Sequence, residues 1–206
     1  MIYDISPAIT PSLAVFPGDT PPSRETLLDM HRGDHLTLST LHMTAHLGAH
    51  VDGPNHYGRD ARAIHEQPLN LYIGPCQVMH VPMERSTRIR PEDLPDPITA
   101  SRLLLATGTY PDPYQWNEDF AGLDPTLVEH LREQHVRLIG IDTPSVDLST
   151  AKDLAAHHAC LEHDVSILEG IVLHHVPAGE YELIALPLPL VGCDASPVRA
   201  ILRTTD

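Results

Sequence analysis

Residues 46–56 read HLGAHVDGPNH, so three histidines and an aspartate fall within eleven residues, together with two glycines and a proline. His46 and His50 are four apart, as on one face of a helix, but Gly48 between them and the Gly-Pro pair that follows disfavour a helix. The glutamate of HExxH zinc sites is also missing, because a leucine follows the first histidine. We therefore interpret the stretch as the end of a strand followed by a loop, with His50 and Asp52 on the same side.

Imidazole and carboxylate groups are the ligands that Zn²⁺ takes in proteins when cysteines are not used. We predict that His46, His50 and Asp52 bind a metal ion, and that His56 is a further ligand or a proton carrier. A solvated, histidine-rich turn is the alternative, because the chain has fifteen histidines. A catalytic zinc also needs an open position and a ligand from elsewhere in the chain. Residues 155–170, AAHHACLEHDVSILEG, offer four candidates among which spacing does not choose: His157, His158, His163 and Glu169.

The composition is that of an ordinary globular protein. The chain has 206 residues, of which 42% are hydrophobic, and it contains two Phe and one Trp. This length and content predict one domain, residues 1–206, with a core of Leu, Ile, Val and Ala. Twenty prolines indicate many turns and short elements, which argues against a helical bundle.

The net charge limits the kinds of partner the protein can bind, and the cysteine content indicates its cellular compartment. A net charge of −15, with histidine counted as neutral, leaves no basic surface for a polyanion, so we expect neither a nucleic-acid partner nor a membrane partner. The start, MIYDISPAIT, does not resemble a signal peptide, and no apolar run reaches the roughly 18 residues of a membrane span. Three cysteines without a Cys-x-x-Cys spacing favour the reducing cytoplasm and no disulfide framework.

Apolar runs bounded by Pro, Gly or Asp predict a set of short strands. LTLSTLHM (36–43) alternates, which predicts a half-buried strand leading into the histidine cluster. The other runs are 76–81, 102–107, 136–142, 181–188 and 196–202.

Two segments predict helices. Asp124 and Pro125 have the order of an N-cap and a first helical residue, and an apolar face follows. A second helix is predicted over 149–162, with an apolar stripe that leaves His157 on a different side; its members are Leu154, Ala155, His158 and Leu161. The fold class predicted from these elements is α/β with a mixed β core and a few flanking helices.

HLGAHVDGPNH resembles the His-Thr-Gly-Ala/Thr-His-x-Asp-Ala/Gly-Pro-x-His signature of the cyclase-like metal-dependent hydrolases. Within that family the chain is similar, over nearly its full length, to the bacterial kynurenine formamidases. The stretches that carry the resemblance are DISPAITPSLAVFPGDTP, YIGPCQVMHV, LIGIDTPSVD, LAAHHACLEHDVSILEG, YELIALPL and DASPVRAILR. The resemblance implies a single-domain cyclase-like fold and a homodimer or higher homo-oligomer.

The resemblance also implies a site with two zinc ions per subunit. His46, His50, Asp52 and Glu169 would bind one ion, and Asp52, His157 and Glu169 the other. The resemblance thus selects His157 from the second group of candidates and makes Asp52 and Glu169 bridging ligands. It assigns the acid/base role to His56.

Three positions depart from the family pattern. Leu47 replaces the usual threonine, and Asn55 replaces an apolar residue beside His56. Phe16 stands where these enzymes carry a tryptophan against the substrate ring, so an aromatic surface is kept and the indole N–H is lost.

The activity implied by the resemblance is hydrolysis of an aryl formamide, N-formyl-L-kynurenine, to L-kynurenine and formate in tryptophan degradation. A related amidohydrolase that acts on another aryl or cyclic amide, such as isatin, is one alternative. The other is a non-catalytic metal-binding or interaction protein, which would have closed coordination and no role for His56.

Overall fold

Short apolar segments form most of the core of the protein, in a computed structural model that describes residues 1–205. The strands are β1 (Ile2–Asp4), β2 (Ser23–Leu28), β3 (Leu38–His42), β4 (His50–Asp52), β5 (Ile73–His80), β6 (Arg88–Ile89), β7 (Arg102–Ala106), β8 (Gly122–Leu123), β9 (Leu138–Ile141), β10 (Ser166–Glu169), β11 (Gly179–Ile184), β12 (Ala195–Pro197) and β13 (Ile201–Thr204). The helices are α1 (Pro125–Glu133) and α2 (Ala155–Glu162), and five single-turn 3₁₀ helices lie in the connections.

Nine strands form one mixed sheet in the order β1-β13-β11-β5-β7-β9-β10-β4-β12. The central strands β5, β7, β9 and β10 are parallel to their neighbours within this group, and the strands on both flanks are antiparallel. The predicted α/β class with a mixed β core and flanking helices is therefore confirmed. Two further pairs, β2-β3 and β6-β8, stand apart from this sheet.

The sheet separates two layers of apolar side chains. Along β7, Leu104 packs into one cluster, whereas Leu103 and Leu105 pack into the other, as expected when successive side chains point to opposite faces. Both helices contribute to the second cluster, through residues such as Leu127 and Ala156. Aliphatic side chains dominate both clusters, as the small number of Phe and Trp residues predicted.

The first predicted helix is confirmed, and the second differs from its prediction. Asp124 accepts a hydrogen bond from the backbone N–H of Thr126 and caps α1. Helix α2 begins at residue 155 rather than 149, because Leu154 has φ +47° and ψ 45° in the left-handed region and ends any earlier helical path. The predicted apolar stripe was wrong: the buried face is made of small residues and the histidine, Ala156, His157, Ala159 and Cys160.

Two strand predictions also need correction. Residues 38–42 form β3 within the predicted segment 36–43, but Leu38 and Leu41 are exposed, so the expected half-burial was wrong. This strand pairs with β2 and lies outside the large sheet, which removes the packing partner that the alternation suggested. Segment 196–202 divides into the end of β12, which is one edge strand of the sheet, and the start of β13, which is the second strand from the opposite edge. Within residues 1–205, no helix has the length and apolarity to cross a membrane.

Candidate metal centre

Strand β4 carries the middle of the histidine motif into the sheet. All three of its residues are buried, and His50 and Asp52 lie two apart on the same side. β4 lies between β10 and β12, and Glu169 of β10 is the direct antiparallel partner of His50. Sheet pairing thus places the carboxylate of Glu169 against the histidine motif.

Helix α2 supplies the third imidazole. His157 is 3% exposed and faces the carboxylates, whereas His158 beside it is exposed and His163 lies at the end of the helix. The structure therefore brings His157 and Glu169, out of the four candidates in residues 155–170, into the group formed by the motif.

The two central carboxylates each direct one oxygen to either side of the group. Asp52 Oδ1 lies 3.2 Å from His46 Nδ1 and 3.6 Å from His50 Nε2, while its Oδ2 lies 3.6 Å from His157 Nε2. Glu169 Oε2 lies 3.1 Å from His50 Nε2, and its Oε1 lies 3.6 Å from His157 Nε2. A carboxylate that faces two imidazole positions in this way is suited to bridge two cations.

The donor atoms fit a cation on a second ground. His50 Nε2 and both carboxylate oxygens of Asp52 are buried and have no hydrogen-bond partner among residues 1–205. Such atoms are costly, since buried polar groups almost always have a partner. A divalent ion among them would satisfy all three, and nitrogen and oxygen donors without thiolate suit zinc and similar metals.

Backbone and side-chain acceptors orient two of the imidazoles. His50 Nδ1 donates to the carbonyl of Gly48 at 2.9 Å, and His157 Nδ1 donates to Asp147 at 2.8 Å. A proton on Nδ1 leaves Nε2 as the free electron-pair donor, which is the usual arrangement for a metal-binding histidine. In both residues Nε2 is the nitrogen that faces the carboxylates.

Two acidic residues of this site were missed by the sequence analysis. Asp147 is 1% exposed. In addition to the hydrogen bond from His157 Nδ1, its carboxylate accepts hydrogen bonds from the backbone N–H groups of Ala156 and His157. It also forms an ion pair with Arg88 at 2.9 Å. Asp194 lies 3.1 Å from His46 Nε2 and 3.6 Å from His56 Nδ1. Neither stands at a metal-ligand spacing from another ligand, so the sequence carries no local signal for them.

The carboxylates around the site raise the pKa values of two of its histidines. Burial alone would lower the pKa of His157, but the hydrogen bond with Asp147 and the nearby carboxylates of Asp52 and Glu169 outweigh it and raise the pKa to about 10. For His46, burial again acts to lower the pKa, and Asp52 and Asp194 raise it to about 9. The carboxylates that hold protons on these imidazoles would equally favour a divalent cation in their place.

His56 lies at the edge of the group, in a 3₁₀ turn after β4. Its ring centroid is 4.2 Å from that of His46, and its side chain stays 34% exposed. Burial lowers the pKa of His56, unlike those of His46 and His157. Donor atoms of His46, Asp52 and His56 also lie within 4.8 Å of one another, so the geometry admits His56 either as a ligand or as a proton carrier.

Two glycines let the motif approach strand β10. Gly48 (φ +55°) lies between the first two histidines, and Gly170 (φ +65°) follows Glu169. A Cβ on Gly170 would lie 2.1 Å from the carbonyl oxygen of Gly48, which is closer than any real contact. The turn after Glu169 therefore packs directly on the backbone that carries the motif.

A cavity of about 480 Å³ opens beside these residues, a volume within the range of small-molecule sites. His46, His50, His56, His157 and Glu169 line it. At another part of its wall Phe16 is 37% exposed and meets Trp116 edge to face, with ring centroids 4.9 Å apart. The chain thus places an indole behind Phe16, at a position that the sequence analysis did not consider.

Comparison with known proteins assigns most of the chain to a family. Residues 3–148 match the Cyclase family, described as "Putative cyclase". A solved structure described as a potential metal-dependent hydrolase with cyclase activity is 26% identical, with a TM-score of 0.85 over 98% of this chain and 96% of that one. A predicted metal-dependent hydrolase from Bacillus stearothermophilus is also 26% identical, with a TM-score of 0.82 over 98% of this chain and 97% of that one.

An isatin hydrolase shares the fold at lower identity. Isatin hydrolase A from Labrenzia aggregata, bound to benzyl benzoate, is 22% identical and has a TM-score of 0.83 over 100% of this chain and 94% of that one. At this identity the likeness concerns the fold alone.

Proposed function

Since the chain belongs to the Cyclase family, we propose that it is a metal-dependent amidohydrolase, a kynurenine formamidase that hydrolyses N-formyl-L-kynurenine to L-kynurenine and formate. The observation that carries the proposal is the geometry of Asp52 and Glu169. Each directs one oxygen to His50 and the other to His157. This is the arrangement needed by two cations that share bridging carboxylates.

The proposed cofactor is two zinc ions per subunit. His46, His50, Asp52 and Glu169 would hold one ion, and Asp52, His157 and Glu169 the other. When bound, zinc polarises an amide carbonyl and lowers the pKa of a coordinated water to about 7.

His56 is the proposed acid/base. Because burial lowers its pKa, the imidazole is neutral at neutral pH and can accept a proton. Asp194 lies 3.6 Å from Nδ1, so the acidic group faces that side of the ring and Nε2 is the atom that would take the proton from the attacking water. As the carbonyl carbon gains the water oxygen and the C–N bond breaks, His56 returns that proton to the departing aryl amine. The products are the free amine and formic acid, which releases its proton to solvent and becomes formate at neutral pH.

Phe16 supports an aryl substrate. Its exposed ring lines the same cavity as the histidines, and Trp116 packs against its edge and holds it in place. Stacking on such a ring stabilises the ground state and the transition state alike, so it affects KM more than kcat. Three free cysteines within residues 1–205 are in keeping with the proposed cytoplasmic location.

A second candidate is the opening of a cyclic amide such as isatin, which the structural likeness to an isatin hydrolase favours. The test is turnover of N-formyl-L-kynurenine, formanilide and isatin by the zinc-loaded protein. We expect the two formamides to be hydrolysed and isatin to be the poorest substrate. Isatin as the best substrate would support the second candidate, and no turnover of any would leave a non-catalytic metal-binding protein.

The same assay tests the aromatic wall. Phe16→Ala should raise KM for the aryl formamides about fivefold to tenfold, since an aromatic contact contributes on the order of 1 kcal/mol, with a smaller change in kcat. Leu69→Ala, at an exposed residue away from the cavity, is the matched control. An unchanged KM for Phe16→Ala would show that the ring does not contact the substrate.

A further inference from the structure

Residues 16–19, FPGD, form a tight turn on the wall of the cavity. The backbone N–H of Asp19 donates to the carbonyl of Phe16 at 2.9 Å, and Gly18 has φ +104°. Proline at the second position and a glycine of positive φ at the third are typical of a type II turn, which holds its first and last residues close together. Both of these residues, Phe16 and Asp19, line the cavity. The turn therefore presents an aromatic ring and a carboxylate side by side.

The carboxylate of Asp19 has few partners of its own. Thr44, which also lines the cavity, donates its hydroxyl to Oδ2 of Asp19 at 3.4 Å. This long hydrogen bond is the one side-chain contact of its kind that residues 1–205 give to Asp19, and none of their cationic groups pairs with it. An ionised carboxylate accepts about four hydrogen bonds, so most of the capacity of Asp19 is open to a ligand.

The other acidic residues of the cavity wall already have partners within the chain. Asp142 accepts three hydrogen bonds from residues 107–108, at 2.7, 2.9 and 2.9 Å. The remaining three each face an imidazole of the candidate metal centre: Asp147, Glu169 and Asp194. Among the described residues, Asp19 is therefore the acidic group of this wall that is available to a charged part of a ligand.

The charge of the cavity favours a cationic ligand group over an anionic one. None of the described residues that line the cavity is Lys or Arg, and His174 is its one histidine outside the metal centre. The chain as a whole carries a net charge of −15. Because a cleft lined by one sign of charge concentrates the opposite sign, this wall attracts an ammonium group and offers little to a carboxylate.

We propose that Asp19 binds an ammonium group of the substrate while the ring of Phe16 contacts its aryl part. The inference rests on the proposed function, since it assigns a partner to one charged group of the same substrate. N-formyl-L-kynurenine carries an ammonium group on the chain attached to its ring, so a ring held by Phe16 brings that chain to the same turn. The preferred substrates are then aryl formamides with an ammonium substituent, and Asp19 determines specificity without taking part in the chemistry.

The test is the binding of two matched ligands to the zinc-loaded full chain, measured by isothermal titration. One is an ortho-aminophenyl ketone whose acyl chain ends in an ammonium group, and the other is the same ketone with a methyl group at that end. Neither has a carboxylate that zinc could bind, so the ratio of their affinities reports on the ammonium group. Asp19→Asn should reduce this ratio about threefold to fivefold, as expected for an ion pair that solvent still reaches. The ratio also cancels any effect of the substitution on the ring contact.

Two further variants separate the contact from the general loss of charge. Asp96→Asn is the matched control, because it removes one negative charge from an exposed aspartate that does not line the cavity. Asp19→Glu keeps the charge on a longer side chain, so it should retain part of the ratio that Asp19→Asn loses. Circular dichroism establishes that each variant is folded, which is expected because Asp19 is exposed and the turn is closed by backbone groups.

An affinity ratio that is the same in the wild type and in Asp19→Asn overturns the proposal, and so does an equal loss in Asp96→Asn. Turnover of formanilide by the wild type, measured alongside, tests the proposed activity separately because formanilide has no charged substituent. Hydrolysis of formanilide together with an unchanged ratio would refute the ammonium site alone. A reduced ratio without hydrolysis of any formamide would support the ammonium site and refute the proposed activity.

Discussion

The imidazole of His56 occupies the position at which a ligand and a proton carrier are hardest to distinguish. It lies beside His46 and within reach of the same donor group, yet it is the most exposed of the site histidines. Its pKa is lowered because burial outweighs the nearby carboxylates, whereas the pKa values of His46 and His157 are raised. Asp194 contacts both imidazoles, so the same carboxylate would position a ligand and an acid/base.

His56→Ala separates these two roles. As a proton carrier, His56 contributes about 10²- to 10⁴-fold to kcat, so the variant should lose that factor while it keeps two zinc ions and its circular dichroism spectrum. The control is His158→Ala, at an exposed histidine on α2 that faces away from the site. Loss of a zinc ion together with activity would make His56 a ligand, and near-normal turnover would remove it from the mechanism.

Glu169→Gln tests the bridging carboxylate. The amide keeps the shape but removes one negative charge from between two imidazole positions, so zinc should bind more weakly at both sites. Isothermal titration with Zn²⁺ measures the effect, with Glu162→Gln at the exposed end of α2 as the control. Two zinc ions held at wild-type affinity would contradict the assignment of Glu169 as a ligand.

At the scale of elements, the site depends on two strands that meet closely. The turn at Gly170 after β10 touches the backbone of Gly48, which in turn accepts the hydrogen bond that orients His50. The same contact that closes the sheet therefore aligns a proposed ligand.

Gly170→Ala should lower both the free energy of unfolding and the affinity for zinc. The new Cβ would lie 2.1 Å from a carbonyl oxygen, and the positive φ adds about 1–2 kcal/mol of strain. Gly192→Ala measures the backbone strain alone, because Gly192 also has a positive φ (+76°) but no described atom lies within 4 Å of its Cβ position. Chemical denaturation and zinc titration of both variants are the measurements; equal losses in the two would show that the close approach does not matter.

Helix α1 offers a prediction about pH. The side-chain hydrogen bond from Thr126 lowers the pKa of the Asp124 carboxyl. A lowered pKa in the folded state means that the cap stabilises the protein above the pKa of an unfolded aspartate, about 3.9, and that this stability is lost as the pH falls through the folded pKa.

Asp124→Ala should therefore cost about 1 kcal/mol at pH 7 and progressively less as the solution becomes acidic. Asp124→Asn keeps the capping oxygen without the charge, so it should retain most of the stability and lose the pH dependence. Urea denaturation at several pH values measures the difference. A cost for Asp124→Ala that does not change with pH would contradict a role for the charged carboxylate.

At the scale of the whole molecule, the metal should contribute to folding as well as to chemistry. The candidate ligands lie on β4, α2, β10 and the loop before β4, so ions held by them join segments that are distant in the chain. Without a cation, Asp52 and Glu169 bring two buried carboxylates together within one group of imidazoles.

We expect about two zinc ions per chain, and a chelator should lower both the melting temperature and the activity. A ligand at a hundredfold excess over its Kd stabilises the folded state by about 2.7 kcal/mol, which is roughly 5–10 °C for a chain of this size. Metal analysis and thermal unfolding before and after chelation, with Zn²⁺ added back, measure this. Full activity with one tightly held ion would refute the two-metal site.

Much of the molecule could be predicted from local sequence, because the causes are local. Apolar runs bounded by Pro and Gly predict strands, because the side chains of a short buried segment are enough to identify it. Most of these runs lie on strands of the large sheet. The glycines and the proline in residues 46–56 likewise exclude a helix, and β4 and a 3₁₀ turn occupy that stretch. Strand β3 shows the limit, because alternation predicts a strand and does not show whether anything packs on it.

The sequence by itself determined the composition of the site: the histidines and the aspartate of the motif, and a second group that contains His157 and Glu169. Only the tertiary structure decided how they meet. Pairing of β10 with β4 sets Glu169 opposite His50, and a cap on α2 brings Asp147 to His157. Strand register and helix docking depend on contacts between distant segments, which no spacing within one segment records.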